Sequence, residues 1–220
     1  MPPIPVLGLV LALLGLPTVL GAVRYFGGEP LGLWTRLSLW GLAGAILTIA
    51  AHSYDDWLIQ LGLVAPAWHS IALALVAAVL ILVGWPATQF LQMKLGGSDT
   101  TSTATFRKVA ALPSTYRLFL VVTAGVTEEV LYRGYGIGVG KLLLGGTSIA
   151  LAVSLCLFIA AHVRWGLAHL LSVLWAGAAL STLFVLTNSL MACIIAHVLV
   201  DAFGFLLVPH VMASRAKRTT

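Results

Sequence analysis

The chain has 220 residues, of which 60% are hydrophobic and 9% charged, with a net charge of +5; mean hydropathy is +1.04. Soluble domains carry about 25% charged residues, and a chain this short has too little interior to hide so much apolar surface. These values exclude a soluble globular domain, a disordered chain and a coiled coil. Cys156 and Cys193 both lie in apolar runs, which excludes a disulfide framework or a zinc ribbon. The positive charge sits between the apolar runs, where it reads as membrane topology rather than nucleic-acid binding.

A spanning helix needs about 20 predominantly apolar residues. In chain order the predicted spans are roughly 4–23, 37–52, 69–92, 116–140, 142–162, 167–186 and 189–208. The first lacks a basic leader before its apolar run and is read as an uncleaved helix. The stretch Trp57–Val64 adds an eighth segment if it lies in the interface or re-enters, and 94–115, with Gly96-Gly97-Ser98-Asp99, is the longest polar connection. No internal repeat is visible. The expected architecture is an all-α polytopic membrane protein, a bundle of seven to eight transmembrane helices in a single domain over 1–220. Seven spans with the N-terminus outside put Arg24, Arg36, Lys94, Arg107, Lys108, Arg117, Arg164, Arg215, Lys217 and Arg218 on the cytoplasmic side. Lys141 then falls outside, with the acidic pair Asp55–Asp56, and Arg133 is left within the membrane. Such an excess of basic residues on one side supports this orientation, with the C-terminus cytoplasmic.

The informative residues are the ionisable ones inside spans, because a charge at mid-bilayer costs about 2.5–3.5 kcal/mol even on lenient scales. The fourth span carries Thr127-Glu128-Glu129-Val130-Leu131-Tyr132-Arg133. Glu129 and Arg133 are four apart and can pair on one helix face, acid first. Glu128 lies about 100° round the helix and has no charged partner of its own. An unpaired carboxylate is expensive to bury unless it works, and it suits a general base. Phe158-x-x-x-His162 closes the fifth span, and His197-x-x-x-Asp201 occupies the last, where the Asp is expected to accept a hydrogen bond from the imidazole and fix its tautomer.

Blander readings stand beside these. A Glu–Arg pair often serves as glue between helices, and Phe158 reads as packing. A histidine near a span end is commonly an interfacial hydrogen-bonder, the reading given to His52, His69, His169 and His210. The co-occurrence of polar groups on three spans favours a shared pocket, and Glu plus His around a water suffices for hydrolysis. The run Gly134–Leu142 is not a phosphate loop, since Tyr135 stands where a glycine is required and Leu142 where Ser or Thr would hold magnesium. Its small residues four apart suit close helix approach or unwinding. There is no HExxH motif; Glu128, His162 and His197 would bind zinc only if they converged, so no cofactor or metal is expected.

Taken together, Glu128-Glu129-x-x-x-Arg133, Phe158-x-x-x-His162 and His197-x-x-x-Asp201 resemble the three-motif signature of the CAAX protease and bacteriocin-processing family, intramembrane glutamic endopeptidases that include the Ras-converting CAAX enzymes. The resemblance covers about 113–208 and leaves the N-terminal helices, residues 1–93, as accessory. It implies a bundle of about eight spans around a water-filled cavity. By the same resemblance Glu128 and His162 activate a water, His197 and Asp201 steady the oxyanion, and Glu129, Arg133 and Phe158 support the site. CAAX-processing members typically carry Asn where Asp201 stands. An ionised Asp cannot donate to an oxyanion, so here it orients His197 or stays protonated. The expected substrate is a membrane-anchored protein or peptide, with roles in bacteriocin maturation or in C-terminal processing and sorting of surface proteins. The expected location is a bacterial inner membrane. Two other readings remain: a non-catalytic binding or immunity protein on the same fold, and a proton-coupled transporter using His197 and Asp201.

Overall fold

The structure is a computed structural model and describes residues 3–94, 100–166 and 169–209. His210, Arg215, Lys217 and Arg218, the Gly96–Asp99 stretch and the start of the predicted sixth span lie outside the described residues. Among those described there is helix and no strand. The order is α1 (Pro3–Tyr25), α2 (Leu33–Ser53), α3 (Trp57–Gln60), α4 (Trp68–Lys94), α5 (Thr100–Ala110), α6 (Ser114–Glu128), a π-helix (Glu129–Val139), α7 (Gly140–Leu143), α8 (Thr147–Ala161), α9 (Leu170–Thr187) and α10 (Leu190–Ala202), which runs on into a π-helical stretch, Phe203–Leu207.

Six helical segments are long and apolar enough to cross a membrane: α1, α2, α4, Thr147–Trp165, α9 and Leu190–Leu207. They wear large apolar side chains outside, for example Leu75, Val76, Val79, Leu80 and Val83 on α4, and small ones inside, such as Ala12, Ala43, Ala50, Ala74, Ala77 and Ala78. Water would penalise that outer surface, whereas lipid matches it. Small inward residues let membrane helices approach closely, where packing rather than hydrophobicity holds them together. This is an all-α polytopic membrane protein.

The predicted 116–140 span is not one of the six. It is a continuous helical run from α6 through the π-helix to α7 that carries Arg117, Glu128, Glu129, Arg133 and Lys141, and its middle is the most enclosed part of the fold. Every residue from Glu129 to Val139 is buried. Helices α1, α2, α6, α8 and α10 all pack on this π-helix. Tyr135 Oη donates to the Pro5 carbonyl of α1 at 3.0 Å, and Ser154 Oγ of α8 donates to the Tyr132 carbonyl at 2.7 Å. Gly138 lies so close to α3 that a Cβ there would run into the Gln60 carbonyl oxygen. The Trp57–Val64 stretch holds only a four-residue helix, too short to cross a bilayer by itself. Its one-turn helix, α3, is pinned under the π-helix.

Local chemistry sets the turns that aim the site-bearing helices. Asn188 adopts φ 45° and ends α9, as Asn tolerates the left-handed region. Ser189 follows at once as the N-cap of α10, its Oγ accepting from Ala192 N–H at 3.2 Å. At the end of α8, His162 N–H turns to the Ile159 carbonyl at 3.0 Å. The imidazole Nδ1 of the same residue lies 2.8 Å from the Phe158 carbonyl, one of those a helix C-terminus leaves open.

Candidate active site

Two adjacent glutamates have opposite surroundings. Glu129 is fully buried, and its Oε1 accepts from Arg133 Nη1 at 2.7 Å and faces His197 Nδ1 at 2.7 Å. Arg133 also donates to the Gly177 carbonyl of α9 at 3.1 Å, and its guanidinium lies 4.4 Å above the Phe158 ring. Phe158 in turn meets Tyr132 edge-on at 5.1 Å and the His162 ring at 4.7 Å. One buried cluster thus ties the π-helix to α8, α9 and α10. Its carboxylate is saturated at one oxygen, while Oε2 is buried without a partner.

Glu128 points the other way. Its Oε2 lies 3.7 Å from His162 Nε2, with the two side chains 13% and 15% exposed. That gap is too long for a direct hydrogen bond and admits a water touching both atoms. The Phe158 carbonyl can only accept, so Nδ1 of His162 carries the proton. In the neutral ring this leaves Nε2 as a lone pair facing Glu128.

A cavity of about 500 Å³ collects Glu128, His162, His197 and Asp201 on its walls. The structure therefore brings together the four residues the sequence singled out for catalysis, while Glu129 and Arg133 sit behind them. Asp201 differs from expectation. Its Oδ2 is 3.7 Å from His197 Nε2, beyond hydrogen-bond length, and Nδ1 is held by Glu129 instead. The reason is geometric: the π-helix delivers Glu129 to α10 from across the bundle, a closer approach than the residue one turn along α10 makes.

Residues not singled out from the sequence also line the cavity. They include Arg36, Thr88, Gln89, Ser172 and His169. Thr88 Oγ1 and Ser172 Oγ are 2.8 Å apart, and Gln89 Nε2 donates to the same Ser172 oxygen at 3.2 Å, joining α4 to α9. His169, read above as interfacial, stacks on Trp165 at 5.6 Å. For Gln89 the available signal was a polar residue inside the predicted 69–92 span; Arg36 fell just before the predicted 37–52 span and read as topology, whereas α2 begins at Leu33 and takes it in. Among the described residues no group of three or more His, Cys, Asp or Glu is arranged to hold a metal ion.

Two half-spent histidines and an unpaired carboxylate around one chamber form the constellation that the three motifs suggested. Residues 111–203 match the family model described as Type II CAAX prenyl endopeptidase Rce1-like. The match spans a little under half of the 220 residues and takes in every motif position from Glu128 to Asp201. It is the resemblance read from the motifs, and it implies a peptide hydrolase. In the Rce1-like stretch lie α6, the π-helix, α7, α8, α9 and α10, whereas α1, α2, α4 and α5 lie outside it. Nothing among curated proteins or solved structures matches the chain.

Proposed function

We propose that this protein is an intramembrane endopeptidase that hydrolyses a peptide bond of a membrane-associated protein or peptide, using a water held between Glu128 and His162. The observation that carries this reading is the 3.7 Å gap between Glu128 Oε2 and His162 Nε2 on the cavity wall. Both atoms are acceptors, so one water can donate one hydrogen to each and turn its lone pairs toward the cavity. Glu128 takes the proton as the water oxygen attacks the scissile carbonyl carbon. It then returns the proton to the departing amine. Glu129 cannot do this work, being enclosed and committed to Arg133 and His197.

His197 is the candidate oxyanion donor. With Nδ1 turned to Glu129, its Nε2 donates only when both ring nitrogens carry protons, and Asp201 is the counter-charge on that side. Asp201 thus balances the donor rather than donating itself. The reaction is proposed to run without a resident metal.

The charged and polar wall residues come from the start of α2, the end of α4, the ends of α8 and α10 and the start of α9. These are the ends that carry Arg36, Lys94 and Arg164. By the positive-inside rule they face the cytoplasm, so the chamber is proposed to sit on the cytoplasmic side of a bacterial inner membrane, with the N-terminus outside and seven crossings if the α6–α7 run counts as one. Suitable tasks are C-terminal processing or sorting of surface proteins and bacteriocin maturation.

The experiment compares N- and C-termini of membrane proteins by mass spectrometry in cells expressing wild type or Glu128→Gln at equal levels. Termini that vanish with the substitution establish proteolysis and name the substrate. Identical termini overturn the proposal.

A further inference from the structure

Arg36 is the one arginine or lysine among the described residues that line the cavity, and the hydrolytic steps above make no use of it. The neighbouring guanidinium groups are committed elsewhere. Arg133 serves Glu129 and the Gly177 carbonyl, and Arg117 donates to the Phe205 carbonyl at 2.8 Å and to Ser114 Oγ at 2.9 Å. Among the described residues Arg36 makes a single hydrogen bond, from Nη2 to the Pro30 carbonyl at 2.5 Å. Its Nε is shielded from solvent without a partner; Glu128 acts on it electrostatically only from beyond ion-pair distance, and it joins none of the ion pairs among the described residues.

Its contact with Pro30 does not account for its presence. The loop before α2 is held on either side of Pro30 by others: Thr35 Oγ1 donates to the Glu29 carbonyl at 2.8 Å, and Tyr116 Oη to the Leu31 carbonyl at 2.7 Å. A fixed guanidinium with most of its donors unused is a fork for a planar anion, and a carboxylate fits it with two parallel hydrogen bonds. The rest of the wall divides into an apolar part that includes Ile81, Trp85 and Trp175, and a catalytic part with the carboxylates of Glu128 and Asp201. Those two carboxylates repel an anionic group, so Arg36 is where one can be held.

We propose that Arg36 binds a carboxylate of the substrate, seating it while an adjoining apolar segment fills the tryptophan-lined part of the chamber. This rests on the endopeptidase reading and specifies its substrate class: a peptide with an apolar stretch and a carboxylate, supplied by its C-terminus or by an acidic side chain. A guanidinium that merely snorkels to the interface, or balances Glu128, would show no preference between an acid and its amide.

The test uses full-length protein in lipid nanodiscs carrying His162→Ala, so that no peptide is consumed while Glu128 keeps its charge, with binding read from tryptophan fluorescence. The probes are acetyl-Leu-Val-Leu-Leu as the free acid, the same peptide as its C-terminal amide, and acetyl-Leu-Asp-Leu-Leu amide. The expected result is that one or both carboxylate-bearing probes bind about tenfold or more tighter than the neutral amide, as charge-assisted bidentate pairs do. Which of the two is preferred identifies the source of the carboxylate. Arg36→Gln should erase the preference while leaving the neutral amide's affinity unchanged. Should that variant not fold, Arg36→Lys keeps the charge and loses the fork, and the acid-to-amide ratio must then fall. Equal binding of all three probes, no saturable binding, or a preference that survives substitution overturns the proposal. Because nothing is cleaved in this assay, its failure is separable from failure of the proteolysis reading, which the terminal mapping decides.

Discussion

Substituting Glu128 or Glu129 with glutamine makes the same chemical change at adjacent positions and should give opposite phenotypes. Glu129 is 0% exposed and Arg133 is 1% exposed, 2.7 Å apart, with His197 Nδ1 on the same oxygen. A neutral amide leaves Arg133 buried without its counter-ion, and breaking a buried pair from one side costs about 3–5 kcal/mol. At about 2–4 °C per kcal/mol for a chain of this size, Glu129→Gln should lower the melting temperature by roughly 6–20 °C. Glu128 makes no direct hydrogen bond among the described residues, its nearest titratable neighbour being His162 Nε2 at 3.7 Å. Its substitution breaks no direct hydrogen bond or close ion pair and should therefore change stability by about 1 kcal/mol or less, well short of the Glu129 effect. Removing a general base should nonetheless slow turnover by about 10²–10⁴. Both effects are measurable on purified protein in nanodiscs, by thermal unfolding and by cleavage of the substrate that terminal mapping yields. A Glu128→Gln protein that cleaves at the wild-type rate, or a Glu129→Gln protein that melts like wild type, would refute the division of labour between the two carboxylates.

His162→Ala removes one of the two groups that hold the water and should abolish detectable turnover, with binding of substrate to the cavity retained in a pull-down. For His197→Ala a fall in kcat of about 10²–10³ is expected if the ring donates to the oxyanion, with KM little changed; a larger effect on KM than on kcat would speak against that role. Gly138→Ala should destabilise the fold by at least about 1–3 kcal/mol, because the new methyl meets the Gln60 carbonyl of a pinned backbone; denaturant titration reads this directly. Prolonged treatment with EDTA or 1,10-phenanthroline should leave activity intact, and loss restored by added zinc would require a metal in the mechanism.

Much of the architecture was legible because lipid imposes a simple rule: about 20 apolar residues make a span, whatever they pack against. Spans α1, α4, α9 and α10 fall within a few residues of where hydropathy puts them, and Asn188-Ser189 marks the α9–α10 turn by its own chemistry. The fourth span resisted that rule. Its charges, and the glycines at which neighbouring elements approach closely, belong to a segment shielded from lipid by other helices, and hydropathy measures contact with lipid alone. The single turn of α3 was ambiguous for the related reason that Trp57–Val64 is apolar enough for several fates, and only the approach of Gly138 selects one.

In the site, the inventory of working groups could be read from residue types and spacing. Ionisable groups are so costly within spans that Glu128, Glu129, Arg133, His162, His197 and Asp201 stand out without coordinates, and helical spacing alone paired Glu129 with Arg133. Spacing along one helix could not say which partner each histidine would take from another. The packing of the helices gave His197 to Glu129 rather than to Asp201, set the Phe158 carbonyl against His162 Nδ1, and placed Arg36 on the chamber wall. Those choices depend on contacts between helices far apart in the chain, where a difference of one ångström decides between a hydrogen bond at 2.7 Å and an open 3.7 Å gap.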